Sequence, residues 1–273
     1  MNLTFPDRCV GFEPIIAAAG YDPDAAAFLT AAGITDPTQS AAINTLVVSL
    51  KLHSIWTKLY ALYPFVGGTA GTHKWNLKDP RDLDAAYRIT WAGTITHDGN
   101  GVTGNGTTGI GDTKFSAVTN GFTSTTGGLF VYIRNNTASG YDMGASDSAI
   151  AKCTDIAARY TGGTTFFGFH SSAGGATSTA NADCRGLHLM QRSAGNIDLY
   201  KNGSSIASSA VSAASGLSAF TVHICGENRG GTPIEYSNHN YGIGGICDTL
   251  TVQNNTDLYT DIQAYETALS RNV

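Results

Sequence analysis

A regular alternation of apolar and other residues over residues 186–208 is the most informative pattern in this chain. Apolar residues stand at every second position on both sides of a turn at residues 193–195: Leu187, Leu189, Ile197 and Leu199. A period of two is typical of a β-strand. Asn202-Gly203 then predicts a type I′ hairpin turn, because both residues adopt positive φ readily. The segment therefore predicts a three-strand antiparallel meander.

The same period recurs along the chain between turns rich in glycine and asparagine. The other predicted strands lie within residues 86–91, 129–134, 166–169, 220–225 and 241–252. Many short strands with no helices between them indicate an antiparallel sandwich. The small, polar residues of 171–184 predict a surface loop.

Two helix starts of the same design precede the strands. Asp22 and Asp36 are each followed by proline, which fits the N-cap and first-turn positions of a helix. Gly33 predicts the end of the first helix. An apolar face at helical spacing extends over residues 43–63, which predicts that the helix continues to Tyr63. The face drifts near His53, which favours a break there.

These patterns divide the chain into two parts. Residues 1–68 form a lead-in and a two-helix attachment element, and residues 69–273 form the sandwich with a closing helix over 257–271. The apolar face of the second helix leaves two arrangements open. The helix packs within the chain or against another protein, or it bundles with copies of itself.

Composition excludes two classes of partner. Charged residues make up 14% of the chain, about half the usual share, and the net charge is −5. No basic stretch is present to neutralise phosphates, so we predict no nucleic-acid binding. No window approaches the ~20 apolar residues that a membrane span needs, so we predict no membrane insertion.

The cysteines predict free thiols rather than a disulfide framework. Their number is odd, and no C-x-x-C pair occurs among Cys9, Cys153, Cys184, Cys225 and Cys247. A bridge between Cys225 and Cys247 stays open. The start of the chain lacks a basic region followed by an apolar run, so we predict no secretory signal. A surface-type composition without such a signal fits proteins that assemble in the cytoplasm and act outside the cell, such as virion proteins.

Several segments resemble phage structural proteins with concanavalin A-like jelly-roll domains. LYKNG resembles the LYVNG hairpin of laminin-G-like domains. The other matching segments are DPDAAAFLTAAGITDPTQSAAINTLV (22–47), IWTKLYALYPFVGG (55–68), HKWNLKDPRDLDAAYRITWAGTITH (73–97), NGTTGIGDTKFS (105–116) and LYTDIQAYETALSRNV (258–273). The resemblance implies a mostly β fold, an antiparallel jelly-roll β-sandwich with an N-terminal helical element and a short C-terminal helix. It also implies a virion component.

The function predicted from these observations is that of a non-catalytic virion protein. A tail or tail-fibre protein that binds a host surface glycan comes first, and a capsid decoration protein second. A carbohydrate-binding module of a bacterial surface protein comes third. Other virion proteins or sister copies are the predicted partners of the N-terminal helices. We predict no cofactor and no metal, because no D-x-D-x-D run supports Asp142, Asp147 or Asp248 as Ca²⁺ ligands.

Enzyme chemistry lacks its usual signatures. Glycosidases on this fold need carboxylates at alternating positions of one strand, which places them about 5 Å apart on one face. The four glutamates form no E-x-D-x-x-E run: Glu13, Glu227, Glu235 and Glu266. No G-x-S-x-G elbow occurs either. The sequence therefore predicts no enzyme activity.

The best candidate for sugar binding is the segment 226–242, read as one long loop. An aromatic ring can stack on a pyranose face while amides and a guanidinium bond its hydroxyls. The candidate residues are Asn228, Arg229, Tyr236, Asn238, His239 and Tyr241. The alternative is an ordinary loop in which asparagine and glycine form turns.

Overall fold

Two antiparallel sheets and four helices make up this computed structural model, which describes residues 20–171, 177–193 and 195–273. Some predictions fall outside these residues. They concern most of the lead-in, with Cys9 and Glu13, the middle of the predicted 171–184 loop, and Ala194 in the predicted turn.

The first two helices begin where the capping residues predict. The helices are α1 (Pro23–Ala32), α2 (Pro37–Leu52), α3 (Ala70–His73) and α4 (Val252–Ala268), with 3₁₀ turns at Trp56–Lys58 and Asp84–Ala86. The Asp22 and Asp36 carboxylates each accept a backbone N–H from the first turn, and Gly33 ends α1 at φ 66°. α2 ends at His53, so the predicted break is confirmed. α4 starts five residues before the predicted closing helix, at the Thr251 cap.

The predicted continuation of the helix to residue 63 is wrong. Residues 59–63 form strand β1 (Leu59–Tyr63). Leu59 and Leu62 are spaced for a helix, but every residue of this segment except Tyr60 is buried, as in a strand covered on both faces. The proposed boundary at residue 68 stays a prediction, although β1 itself belongs to a sheet.

Eight strands form sheet A, in the order β13-β12-β11-β6-β17-β4-β3, with β1 paired to β17. Their bounds are β1, β3 (Ile95–Asp98), β4 (Gly101–Gly104), β6 (Gly128–Ile133), β11 (Gly186–Ser193), β12 (Asn196–Lys201), β13 (Ser204–Ala210) and β17 (Asn240–Cys247). The predicted meander is confirmed as β11, β12 and β13. Asn202 and Gly203 have φ of 50° and 76°, as a type I′ turn requires.

Nine strands form sheet B, in the order β10-β9-β8-β7-β14-β5-β2, with the hairpin β15–β16 attached to β7. Their bounds are β2 (Thr90–Ala92), β5 (Ile110–Ser116), β7 (Met143–Ser146), β8 (Cys153–Tyr160), β9 (Thr164–Ser171), β10 (Thr177–Ala180), β14 (Thr221–Ile224), β15 (Glu227–Arg229) and β16 (Thr232–Ile234). Part of the predicted 171–184 loop is thus strand β10, which pairs with β9.

Two apolar cores hold these layers together. One lies between the sheets and includes Val131, Ile156 and Phe167. The other lies between sheet A and the helices, where Ile43 of α2 and Ile262 of α4 pack with strand residues. The helices therefore cover the outer face of sheet A, and α2 packs within the chain through its buried side.

The thiols of Cys153, Cys184, Cys225 and Cys247 are buried and free. The bridge left open between Cys225 and Cys247 is thus not formed. Within the described residues, no helix combines the length and apolar character needed to cross a bilayer.

Candidate functional site

The predicted loop 226–242 is not a single loop. Its first half is the hairpin β15–β16, and its end is the start of β17. The six candidate residues therefore lie at different depths. Asn238 is exposed, and Arg229 and Tyr236 are half-buried. The remaining three, Asn228, His239 and Tyr241, are buried.

His239 and Tyr241 form a buried charge network with Asp142. The Nδ1 of His239 lies 2.6 Å from Asp142 Oδ1, and the Tyr241 hydroxyl donates to the same oxygen at 2.7 Å. The Nε2 of His239 lies 2.8 Å from the Thr137 carbonyl. Burial opposes a charge on His239, but the Asp142 carboxylate outweighs it and raises the pKa of His239 to about 10. Burial alone would raise the pKa of Asp142, but the charge on His239 and the hydrogen bond to it lower that pKa.

Glycan contact by the six residues stays a prediction, and three of the six lie in the interior. Tyr241 and His239 are 0% exposed, so neither ring offers a face to a sugar. Asn228 is 6% exposed, and its amide donates to the Thr221 carbonyl at 3.0 Å, so it shapes the hairpin. Tyr236, Asn238 and Arg229 are the candidates that reach the surface.

Among the described residues, the helices cover sheet A and leave the outer face of sheet B without a helical layer, so we call this the open face. Met143, Ile156 and Phe167 point into the core between the sheets. Strand alternation therefore turns their neighbours outward. We define the open face by the side chains of Tyr141, Asp155, Tyr160, Phe166, Glu227, Arg229 and Glu235.

Two carboxylates meet at the centre of the open face. Asp155 of β8 and Glu227 of β15 both lie opposite Gly144 of β7, on either side of it. A Cβ at Gly144 would stand 2.8 Å from Asp155 Cβ and 3.4 Å from Glu227 Cγ. Because Gly144 has no side chain, the side chains of Asp155 and Glu227 can approach each other above it. Gly168 lies opposite Asp155 on β9 and extends this glycine floor.

The two acids have different surroundings. Arg229 donates to Glu227 Oε2 at 2.7 Å, and the Ser146 hydroxyl donates to Glu227 Oε1. Burial, followed by the charge of Glu227, raises the pKa of Asp155 well above its usual range. The arrangement thus holds one carboxylate in an ion pair beside a second that keeps its proton at higher pH.

Aromatic rings adjoin the acids. The ring centroids of Tyr141 and Tyr160 are 5.6 Å apart, and those of Tyr160 and Phe166 are also 5.6 Å apart. The Tyr160 hydroxyl donates to Glu235 Oε2 at 2.8 Å. All three rings are half-buried, so part of each faces solvent. A row of rings bordered by carboxylates and a guanidinium can stack on sugar rings and bond their hydroxyls.

Two buried polar atoms near the acids lack partners among the described residues. They are Ser171 Oγ, in a residue 0% exposed, and His223 Nδ1, in a residue 6% exposed. Ser171 Oγ lies 3.5 Å from the position a Cβ would take at Gly168. His223 lies opposite Gly144 on β14. Unpaired buried polar atoms are uncommon in folded proteins and favour an external partner.

Sequence reasoning missed the acidic pair. Asp155 and Glu227 are brought together across strands, whereas the glycosidase pattern places carboxylates at alternating positions of one strand. The burial of Tyr241 could have been predicted from the sequence. Apolar residues alternate along β17, and this alternation places the Tyr241 ring on a buried face.

No protein-family model and no curated protein sequence matches this chain. Solved structures match in fold. A structure of botulinum neurotoxin type C, whose cell entry depends on interaction with two ganglioside molecules, has a TM-score of 0.52 and 14% identity, covering 78% of this chain and 53% of that one. The CBM40 of Ruminococcus gnavus IT-sialidase bound to α2,3-sialyllactose has a TM-score of 0.37 and 14% identity, covering 49% and 81%. NanB sialidase from Streptococcus pneumoniae has a TM-score of 0.40 and 11% identity, covering 48% and 23%.

This chain spans about half the length of the toxin structure and about a quarter of the NanB structure. At such identities the likeness concerns the fold. The toxin structure matches 78% of this chain and supports the assignment of the fold. The predicted fold class is confirmed: a mostly β, lectin-like jelly-roll of two antiparallel sheets with a C-terminal helix.

Proposed function

We propose that this chain is a non-catalytic glycan-binding protein of a phage virion, in a tail or tail fibre, and that it binds a host surface glycan through the open face of sheet B. The observation that carries the proposal is the row of half-buried rings beside hydrogen-bonding charges: Tyr141, Tyr160 and Phe166 next to Arg229 and Glu235. The toxin structure of the same fold has ganglioside partners, which supports a glycan ligand. The virion location rests on the sequence resemblance.

The state of the acidic pair favours binding over hydrolysis. Glu227 is 0% exposed, and both of its oxygens are engaged, by Arg229 and Ser146. A nucleophilic carboxylate has to reach the anomeric carbon of a sugar. We therefore expect no release of reducing sugar from host polysaccharides. Release that disappears in Glu227→Gln would overturn the non-catalytic proposal.

Tyr160→Ala tests the binding surface. We expect it to weaken glycan binding about tenfold or more, because it removes a central ring from the row. Tyr160→Phe retains the ring and loses only the hydroxyl that donates to Glu235, so a smaller loss is expected. The measurement is a glycan array followed by titration calorimetry on the best ligand.

Tyr21→Ala is the matched control, since Tyr21 is 46% exposed and precedes α1, away from the open face. Equal affinity of Tyr160→Ala and wild type would move the binding site off this face.

The exposed side of α2 is a candidate surface for association with other copies of this chain. Five exposed residues follow a 3-4 spacing that presents one seam to a partner helix: Thr38, Ala41, Thr45, Val48 and Leu52. None is charged, and Leu52 is 78% exposed. We propose that a second copy packs its own α2 along this seam, which would serve equally in a tail fibre or in the alternative role of capsid decoration.

The seam predicts a concentration-dependent self-association that Val48→Glu with Leu52→Glu abolishes, because two charges would be buried without partners. Both side chains are exposed, so the fold should be retained. Val118→Glu is the control, at a residue 50% exposed outside the helices. Sedimentation equilibrium measures the effect. A wild-type monomer throughout, or an unchanged assembly in the double variant, would contradict the seam.

A further inference from the structure

The charge balance of the open face restricts the chemistry of its ligand. Two charged carboxylates, those of Glu227 and Glu235, and the carboxyl group of Asp155 surround one guanidinium, that of Arg229. The guanidinium is already paired, with 2.7 Å between Arg229 Nη2 and Glu227 Oε2. Glu235 accepts from a neutral hydroxyl, that of Tyr160. A ligand at the rings therefore meets a net negative surface.

We infer that the open face binds non-acidic glycans, prefers those with a free amino group, and rejects sialylated or uronic-acid glycans. This inference rests on the proposed function and names the class of its ligand. An acidic sugar would bring a third charged carboxylate into the cluster or displace Glu227 from Arg229. Like charges placed together in an interface oppose binding. An ammonium group would instead find a carboxylate without a cationic partner in the cluster, Glu235.

The hydrogen-bonding groups at the centre agree with a hydroxyl-bearing ligand. Burial beside Glu227 raises the pKa of Asp155, so its carboxyl group can donate to a sugar oxygen. A sugar hydroxyl both donates and accepts, so it can bond to such a carboxyl group without adding charge to the cluster.

The glycine floor gives the two acids room to lie side by side. Gly144 and Gly168 lie in the same row as the two acids and present no side chain. At Gly168 a Cβ would stand 3.1 Å from Asp155 Oδ1.

Two matched pairs of oligosaccharides test the inference on the full chain. One pair is chitotriose and its fully deacetylated form, and the other is lactose and 3′-sialyllactose. We expect the deacetylated trisaccharide to bind about tenfold more tightly than chitotriose, and sialyllactose about tenfold more weakly than lactose, in calorimetry at low salt and neutral pH. Added salt should reduce both differences.

Glu235→Gln should reduce the preference for the deacetylated trisaccharide several-fold. Asp84→Asn makes the same change of charge at a residue outside the open face, and it should leave the preference unchanged. Sialyllactose binding as tightly as lactose would overturn the charge inference while leaving glycan binding intact. A preference retained in Glu235→Gln would overturn it too. Failure of every glycan to bind would overturn the proposed function itself.

Discussion

Asp142→Asn is expected to lower the free energy of unfolding by about 3–5 kcal/mol near pH 6, because it leaves the buried imidazolium of His239 without its counter-charge. Both side chains are 0% exposed, and their atoms lie 2.6 Å apart. Chemical denaturation of wild type and variant measures the loss. Asp84→Asn is the control, since that carboxylate is 62% exposed and pairs only at the surface.

The cost of Asp142→Asn should depend on pH in a defined direction. His239 has a pKa of about 10 in the folded protein against about 6.5 unfolded, so its contribution is complete below pH 6.5 and is lost as the pH rises toward 10. The pKa of Asp142 is lowered on folding, so its contribution is present above its usual value of 3.8 and is lost as the pH falls below that. The pair therefore stabilises most between about pH 4 and 6.5.

Other histidines act in the opposite direction in acid. Burial lowers the pKa of His73, His97, His170, His188 and His223, so their protonation on unfolding destabilises the fold as the pH drops. These histidines are present in both wild type and Asp142→Asn. The difference in unfolding free energy between the two proteins therefore reports the Asp142–His239 pair. A difference that stays constant from pH 6 to 10 would contradict an imidazolium at His239.

Local signals in the sequence predicted the parts of the fold that depend on a few neighbouring residues. The caps at Asp22 and Asp36 and the Asn202-Gly203 turn act within four residues of chain, so they appear in the sequence as they do in the structure. The meander was predictable for the same reason, because alternation and turn chemistry agree there.

Tertiary contacts decided the segments that sequence reasoning assigned wrongly. Leu59–Tyr63 fits a helix and a buried strand equally by its apolar spacing, and pairing with β17 selects the strand. The open face depends on neighbours from separate strands, such as Asp155 and Glu227. The partner of His239 lies 97 residues away at Asp142. A single sequence carries no record of such pairings.

A second buried ion pair fastens the C-terminal end of the chain to the sandwich. Arg271 is 2% exposed, and its guanidinium donates to both Glu266 oxygens, at 2.8 and 3.0 Å. It also donates to the carbonyls of Phe65 and Gly242, at 2.9 and 3.0 Å. These carbonyls lie just after β1 and within β17, so one side chain joins α4 to two parts of the fold.

Glu266→Gln should therefore lower the free energy of unfolding by about 3–5 kcal/mol, since the guanidinium keeps its charge when buried and loses its only carboxylate in this cluster. Replacing both partners, as Glu266→Leu with Arg271→Met, should cost less than Glu266→Gln alone, because no unpaired charge then remains buried. Denaturant unfolding of the two variants measures this order. A double variant less stable than Glu266→Gln would mean that the bonds from Arg271 to the carbonyls, rather than the ion pair, hold α4 against the sandwich.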